Sequence, residues 1–95
     1  MGRAENYVEN YLVKQAKKHN FFCCKFVSPS TNGVPDRILI GNGHVIFIET
    51  KSKTGELSDI QKEIIKQMQL QKAIVYVANS RQQIDDIIKR ISESS

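Results

Sequence analysis

Apolar residues recur along this chain with two different periods, and the switches between them mark out seven elements. From Glu5 to about His19, the residues Val8, Tyr11, Leu12, Gln15 and Ala16 return at helical spacing, which predicts an amphipathic helix that His19-Asn20 then breaks. Phe21 to Val27 is rich in aromatic and β-branched residues and predicts a strand. Ser28 to Gly33 is a polar loop of turn formers. Pro35 can only begin a strand or lie on an edge, and Asp36 to Ile40 continues as a second strand with Asp36, Ile38 and Ile40 on one face. Gly41-Asn42-Gly43 is a tight hairpin signal. The third strand, His44 to Thr50, has Val45, Phe47, Glu49 and then Lys51 on one face and Ile46, Ile48 and Thr50 on the other. Both faces are apolar over most of their length, the pattern of a central strand covered on both sides. After a polar connection from Ser52 to Leu57, Ser58 with Gln61 three residues on predicts a capped second helix, with Leu57, Ile60, Ile64, Ile65 and Met68 as its apolar side. Lys72 to Ala78 is a fourth strand. Ser80, with Gln83 three on, caps a third helix striped with Ile84, Ile87, Ile88 and Ile91, and Ser92 to Ser95 should fray.

The order is therefore α-β-β-β-α-β-α. The first three strands can form an antiparallel meander, and a helical crossover should bring the fourth in parallel to the third with a right-handed connection. The expected fold class is α/β, a four-stranded mixed sheet flanked by helices, with residues 1–95 as a single domain.

Composition narrows this little: 40% of residues are hydrophobic and 25% charged, as in ordinary α/β proteins. No apolar run approaches the roughly 20 residues a membrane span needs. The polar start, Met1-Gly2-Arg3-Ala4-Glu5-Asn6, lacks a signal-peptide core, and Asn6 stands where a myristoylation signal carries Ser or Thr. Cys23 and Cys24 would point to opposite faces of a strand, so they read as reduced thiols and the protein as cytoplasmic, in a bacterial cell or in the host of a phage. A net charge of +4 permits a polyanionic partner, but the basic residues are scattered and a solvated surface accounts for them equally.

Charge matters more where it meets the strands. Asp36 opens the second strand, Glu49 closes the third, and antiparallel pairing about Gly41-Asn42-Gly43 sets Asp36 opposite Ile48 or Glu49. Two carboxylates so close repel, which raises one pKa, and a hard divalent cation removes that penalty. Mg²⁺ binds through one or two carboxylates and keeps waters and phosphate oxygens for its other positions. Lys51 shares the face of Glu49, and from there it can position or deprotonate an attacking water or steady charge on phosphorus. Glu5 projects between Leu12 and Ala16, inside the first helix's apolar arc, with Glu9 on its flank. It either faces water at the positive end of the helix dipole or reaches into a site. Gln61 lies on the inward side of the second helix, as a cap or as a site residue.

Pro35-Asp36, twelve intervening residues and then Glu49-Thr50-Lys51 resemble the PD-(D/E)xK nuclease motif. The wider run, Ser28-Pro29-Ser30 to Gly33-Val34-Pro35-Asp36-Arg37, then Phe47-Ile48-Glu49-Thr50-Lys51, then Leu57-Ser58-Asp59-Ile60-Gln61, is similar to the VRR-NUC branch of that superfamily in its short stand-alone bacterial and phage form. The resemblance runs from Glu5 to about Ser80 and implies a restriction-endonuclease-like core. It implies Glu5 as the first-helix acid, with Glu9 the competitor, and Asp36 and Glu49 as metal-binding acids. The backbone carbonyl of Thr50 would be a further ligand, Lys51 the catalytic lysine and Gln61 the glutamine that opens the second helix. Thr50 departs from the family, which more often has an apolar residue there.

Around this set, Ser28 and Ser30 either touch a phosphate or form the loop. Arg37 either binds DNA or is exposed, and Lys53 joins the candidate DNA contacts. Tyr7 either stacks on a base or packs. The activity the resemblance implies is a Mg²⁺- or Mn²⁺-dependent DNA endonuclease leaving 5′-phosphate and 3′-hydroxyl ends. Its expected substrate is branched DNA such as Holliday junctions, which a homodimer would cut symmetrically. The alternatives are a non-catalytic nucleic-acid-binding module and a flap or restriction-type nuclease.

Overall fold

The computed structural model describes the backbone of residues 3–93 and the side chains of residues 7–93. Its elements are α1 (Arg3–Lys18), β1 (Phe22–Lys25), β2 (Arg37–Gly41), β3 (His44–Thr50), α2 (Asp59–Leu70), β4 (Ile74–Ala78) and α3 (Arg81–Glu93). The predicted order α-β-β-β-α-β-α is the observed one. The four strands make one sheet in the order β1-β2-β3-β4, antiparallel across β1, β2 and β3 and parallel between β3 and β4.

The hairpin sequence sets the register. Asn42 and Gly43 both take positive φ, 51° and 80°, the conformation that joins two strands through a two-residue turn. Gly41 then faces His44, and Arg37 faces Ile48. Asp36 lies one residue beyond the last of these pairs. The Asn42 side-chain amide also donates to the Ile91 carbonyl at 2.9 Å, tying the turn to the end of α3.

The alternation of β3 divides the sheet into two unlike faces. Ile46 and Ile48, with Leu39 and Ala78, are buried under Val8, Leu12 and Ala16 of α1 and Ile84, Ile87, Ile88 and Ile91 of α3. Leu12, Leu39, Ile46, Ile48 and Ile84 are almost wholly inaccessible to solvent, and each stabilises the fold by about 1.5–3 kcal/mol through burial. The opposite face is covered in part. There α2 lies along β4, burying Ile65 and Val75. Phe22, Ile40 and Val45, a direct cross-strand row, stay exposed. The expectation that β3 is covered on both sides is therefore corrected at Val45, because a 12-residue helix beside β4 does not reach the far half of the sheet.

Element ends move for local reasons. Asn20 has φ 61° and closes α1, and β1 is shorter than the predicted Phe21–Val27. Lys72, expected in a strand, takes φ 71° in the turn that ends α2, where its N–H donates to the Gln69 carbonyl, so β4 begins at Ile74. Ile60, expected on the apolar side of α2, is 53% exposed overall, yet its side chain lies against Gly33. Gly33 has φ 90°, and a Cβ there would meet Ile60 Cγ2 and lie 3.0 Å from the Ile60 carbonyl oxygen. Gly33→Ala is therefore expected to cost about 1–3 kcal/mol, from the left-handed backbone and the overlap together, as measured by urea unfolding.

Candidate active site

Every side chain of the site comes from the end of β3 or from a segment that β3 pins. Pro35 is buried, and it fixes the chain just before β2. Asp36 lies one residue ahead of β2, its carbonyl accepting the Phe26 N–H at 2.9 Å. Its carboxylate is gripped by Thr50, whose hydroxyl donates to Oδ2 at 2.7 Å and whose N–H reaches Oδ1 at 3.2 Å. Burial pushes the Asp36 carboxyl above its ordinary value, the two Thr50 hydrogen bonds oppose that rise, and the charge of Glu9 adds to it. The sequence pointed to repulsion from Glu49 as the cause of a raised pKa; burial is the leading cause here, and Glu9 is the acid whose charge assists it.

Glu49 and Thr50 are buried at the end of a strand whose inner residues, Val45 to Ile48, are all apolar. A buried carboxylate needs partners. Glu49 Oε2 has the Lys51 ammonium at 3.3 Å and accepts from the Gln61 side-chain amide at 3.1 Å. Lys51 in turn is fixed by its backbone, since its N–H donates to the Ala78 carbonyl of β4 at 2.8 Å.

Gln61 resolves its two readings by having two ends. Its oxygen accepts the Ser58 N–H at 2.9 Å while its own N–H donates to Ser58 Oγ at 3.1 Å, completing a capping box. Its amide nitrogen is then left to reach Glu49. Gln61→Ala should lower stability by about 1–3 kcal/mol, the sum of a lost cap and a lost hydrogen bond to a charged group. Thermal unfolding of the purified variant checks this, and Gln61→Glu should restore the cap without the bond to Glu49.

The donor set suits a hard divalent cation. Asp36 and Glu49 offer carboxylate oxygens on neighbouring strand ends, with the Thr50 backbone between Glu49 and Lys51, and no sulfur or imidazole stands among them. Among the described residues no three of His, Cys, Asp and Glu gather as a metal-holding group. Two carboxylates are enough for an ion of the Mg²⁺ type, which keeps its waters.

A family model for the VRR-NUC domain matches residues 2–82 of this sequence. The chain belongs to the VRR-NUC family. It is thus a nuclease domain of the PD-(D/E)xK superfamily, with the four-stranded mixed sheet and flanking helices of that fold. It is 43% identical over 49 residues to "Putative nuclease p44" of Acyrthosiphon pisum secondary endosymbiont phage 1, a match covering 50% of this chain and 53% of that protein. The chain thus spans about half the length of the curated relative it matches. A solved structure titled "VRR_NUC domain" superposes with a TM-score of 0.82 at 22% identity, over 90% of this chain and 95% of the other, and shows the shared fold.

The remaining candidates of this VRR-NUC chain separate into groups. Glu5 lies on α1, and its side chain falls outside the described residues. Its competitor Glu9 accepts from Arg37 Nε at 2.8 Å, and both side chains are only 14% exposed. Arg37 is thus neither a bare surface residue nor turned out to solvent; its guanidinium is occupied beside Asp36. Ser30 and Lys53 are exposed and Ser28 is half-buried. The grip of the Thr50 hydroxyl on Asp36 has no counterpart in the sequence pattern. The available signal was a threonine on the buried face of a central strand, where an apolar residue would pack as well.

Proposed function

We propose that this VRR-NUC chain is a structure-selective DNA endonuclease that depends on Mg²⁺ or Mn²⁺ and hydrolyses phosphodiester bonds in branched DNA such as Holliday junctions. The observation that carries this reading is the buried Glu49 held between Lys51 and Gln61, one residue from the Thr50 that grips Asp36. Nothing in the packing of the sheet requires that arrangement, and an apolar pair would fill the space at less cost. A divalent cation held by Asp36, Glu49 and the Thr50 carbonyl would acidify a bound water and offset charge on the phosphate.

The protein's own residues divide the rest of the work. Lys51 supplies a fixed positive charge against the negative charge that grows on the phosphoryl oxygens. Glu49 holds that ammonium, and Gln61 holds Glu49. Thr50 keeps the Asp36 carboxylate in one orientation. Water adds to phosphorus, the bond to the 3′-oxygen breaks, and the products carry 5′-phosphate and 3′-hydroxyl ends. Residues 1–95 act as one nuclease domain, and two copies present two sites to the two strands of a junction. The protein works in the cytoplasm of a bacterial cell or phage host; among the described residues no helix is long and apolar enough to cross a membrane.

Selectivity for shape follows from what the fold spends on itself. The buried faces of α1 and α3 and one face of the sheet are committed to the core, which leaves backbone contacts rather than base reading as the basis of recognition. Labelled four-way junction, flap and linear duplex, each with Mg²⁺ or Mn²⁺, test the substrate. Faster cutting of the junction is expected. Discrete cuts on linear duplex at one sequence would replace this reading with a restriction-type enzyme. Binding without cutting of any substrate would make the chain a DNA-binding module.

A further inference from the structure

A second concavity opens beside the site, past the ends of β3 and β4. It has a volume of about 420 Å³ and is lined by Tyr7, Val8, Lys53, Asn79, Ser80 and Arg81. Its place is fixed by the sheet: Ala78 faces Thr50 and accepts the Lys51 N–H, so Asn79 and Ser80 follow directly from the strand that anchors Lys51. Lys53 is two residues beyond Lys51 on the other side.

The chemistry of its walls is specific. Val8 is buried and gives an apolar wall, while Tyr7 is 55% exposed at the rim. Polar backbone and hydroxyl groups in the lining are already used: the Asn79 N–H donates to Gln83 Oε1 at 2.7 Å, and Ser80 Oγ accepts the Gln83 N–H at 3.2 Å. Arg81 is held by two rings, its guanidinium carbon 5.5 Å from the centre of Tyr7 and 5.0 Å from that of Tyr11. Tyr11 is itself anchored, its hydroxyl donating to Asp85 at 2.7 Å. The lining thus combines one exposed ring, an apolar wall and two cations, with no acid among the described residues.

We infer that this concavity receives an unpaired nucleotide of the DNA substrate, its base stacked on Tyr7 and its phosphates against Lys53 and Arg81. A stack tolerates any base because every base has a π face. The two cations match the charges that flank a base in a strand, and the volume lies within the usual range for a small-ligand site. Continuous duplex has no free base to offer, so the concavity would favour a branch where a nucleotide is unpaired, as in a fork, or is unpaired when the centre of a four-way junction is opened. The inference rests on the nuclease reading for its substrate and deepens it by naming the part of a branched DNA that is gripped.

The test places 2-aminopurine as the first unpaired base of a forked duplex. Its fluorescence is followed on titration with protein in Ca²⁺, and cutting of the same fork is followed separately in Mg²⁺. Wild type is expected to quench the probe, and Lys51→Ala to quench it equally. Tyr7→Leu should lose the quench and bind the fork about tenfold more weakly, the loss of one base stack. Arg81→Gln should weaken binding and flatten its salt dependence. Tyr7 is largely exposed, and circular dichroism of both variants confirms that they are folded. Cutting by wild type with no quench, or a quench that survives Tyr7→Leu, overturns the nucleotide site and leaves the nuclease intact. A quench abolished by Tyr7→Leu with no cutting under any metal supports the nucleotide site and overturns the nuclease reading.

Discussion

Lys51→Ala is expected to slow cutting of a four-way junction by roughly 10²- to 10³-fold, the scale on which removal of one transition-state charge partner acts. Single-turnover rates at saturating protein measure it, because they separate chemistry from product release. Binding of the junction should change little, since Lys51 is one positive charge among 14 basic residues. A structural effect accompanies the catalytic one. Lys51 is among the groups that hold the buried carboxylate of Glu49, as is Gln61. Its removal takes a cationic partner from a buried carboxylate, and a modest fall in stability follows. Lys51→Arg separates the two effects: it keeps the positive charge beside Glu49, so stability should return further than rate. Undiminished cutting by Lys51→Ala would mean that the chemistry lies elsewhere on the molecule.

Asp36→Asn should move activity and stability in opposite directions. Activity should fall by at least the roughly 10- to 100-fold that follows loss of a group behind a metal ligand, because the amide is a neutral and weaker donor. Stability without metal should rise at neutral pH. The sign follows from burial, which lifts the Asp36 pKa above its ordinary 3.8. The folded state therefore holds that proton more tightly than the unfolded chain, and wild-type stability falls as pH rises from the unfolded value through the folded one. Above that window the full cost of the buried charge is present; below 3.8 it is absent. Asparagine carries no such charge and can still meet Thr50, with an oxygen for its N–H and an amide beside its hydroxyl. Urea midpoints measured with EDTA should show the variant ahead of wild type near pH 7, with its advantage shrinking toward pH 3.5. An advantage that grows on acidification would contradict the burial argument.

The fold was legible because its signals were local and agreed with one another. Asn42-Gly43 set the hairpin, the isoleucines at 84, 87, 88 and 91 set α3, and Ser58 with Gln61 set the start of α2. The register from Gly41 and His44 back to Arg37 and Ile48 followed from the turn alone, since register propagates along a hairpin. Three features lay beyond that reach because they depend on distant packing. The exposure of Val45 reflects where α2 settles on the sheet. The pairing of Arg37 with Glu9 joins residues on two elements that no sequence spacing relates. The bond from the Thr50 hydroxyl to Asp36 depends on how the chain bends just before β2. Gln61 shows the opposite case. Capping and site contact looked like alternatives in the sequence, and a side-chain amide with two ends serves both.

On the proposed mechanism, Asp36 and Glu49 hold a divalent ion whose presence switches on cutting of DNA. The most direct measurement is incubation of a labelled four-way junction with wild type and with Asp36→Asn, each in Mg²⁺ and in excess EDTA, with the product ends mapped. Cuts by wild type in Mg²⁺ alone, leaving 5′-phosphate and 3′-hydroxyl ends, with none from Asp36→Asn, are the predicted result. Cutting that persists in EDTA, or that Asp36→Asn performs as fast as wild type, would contradict it.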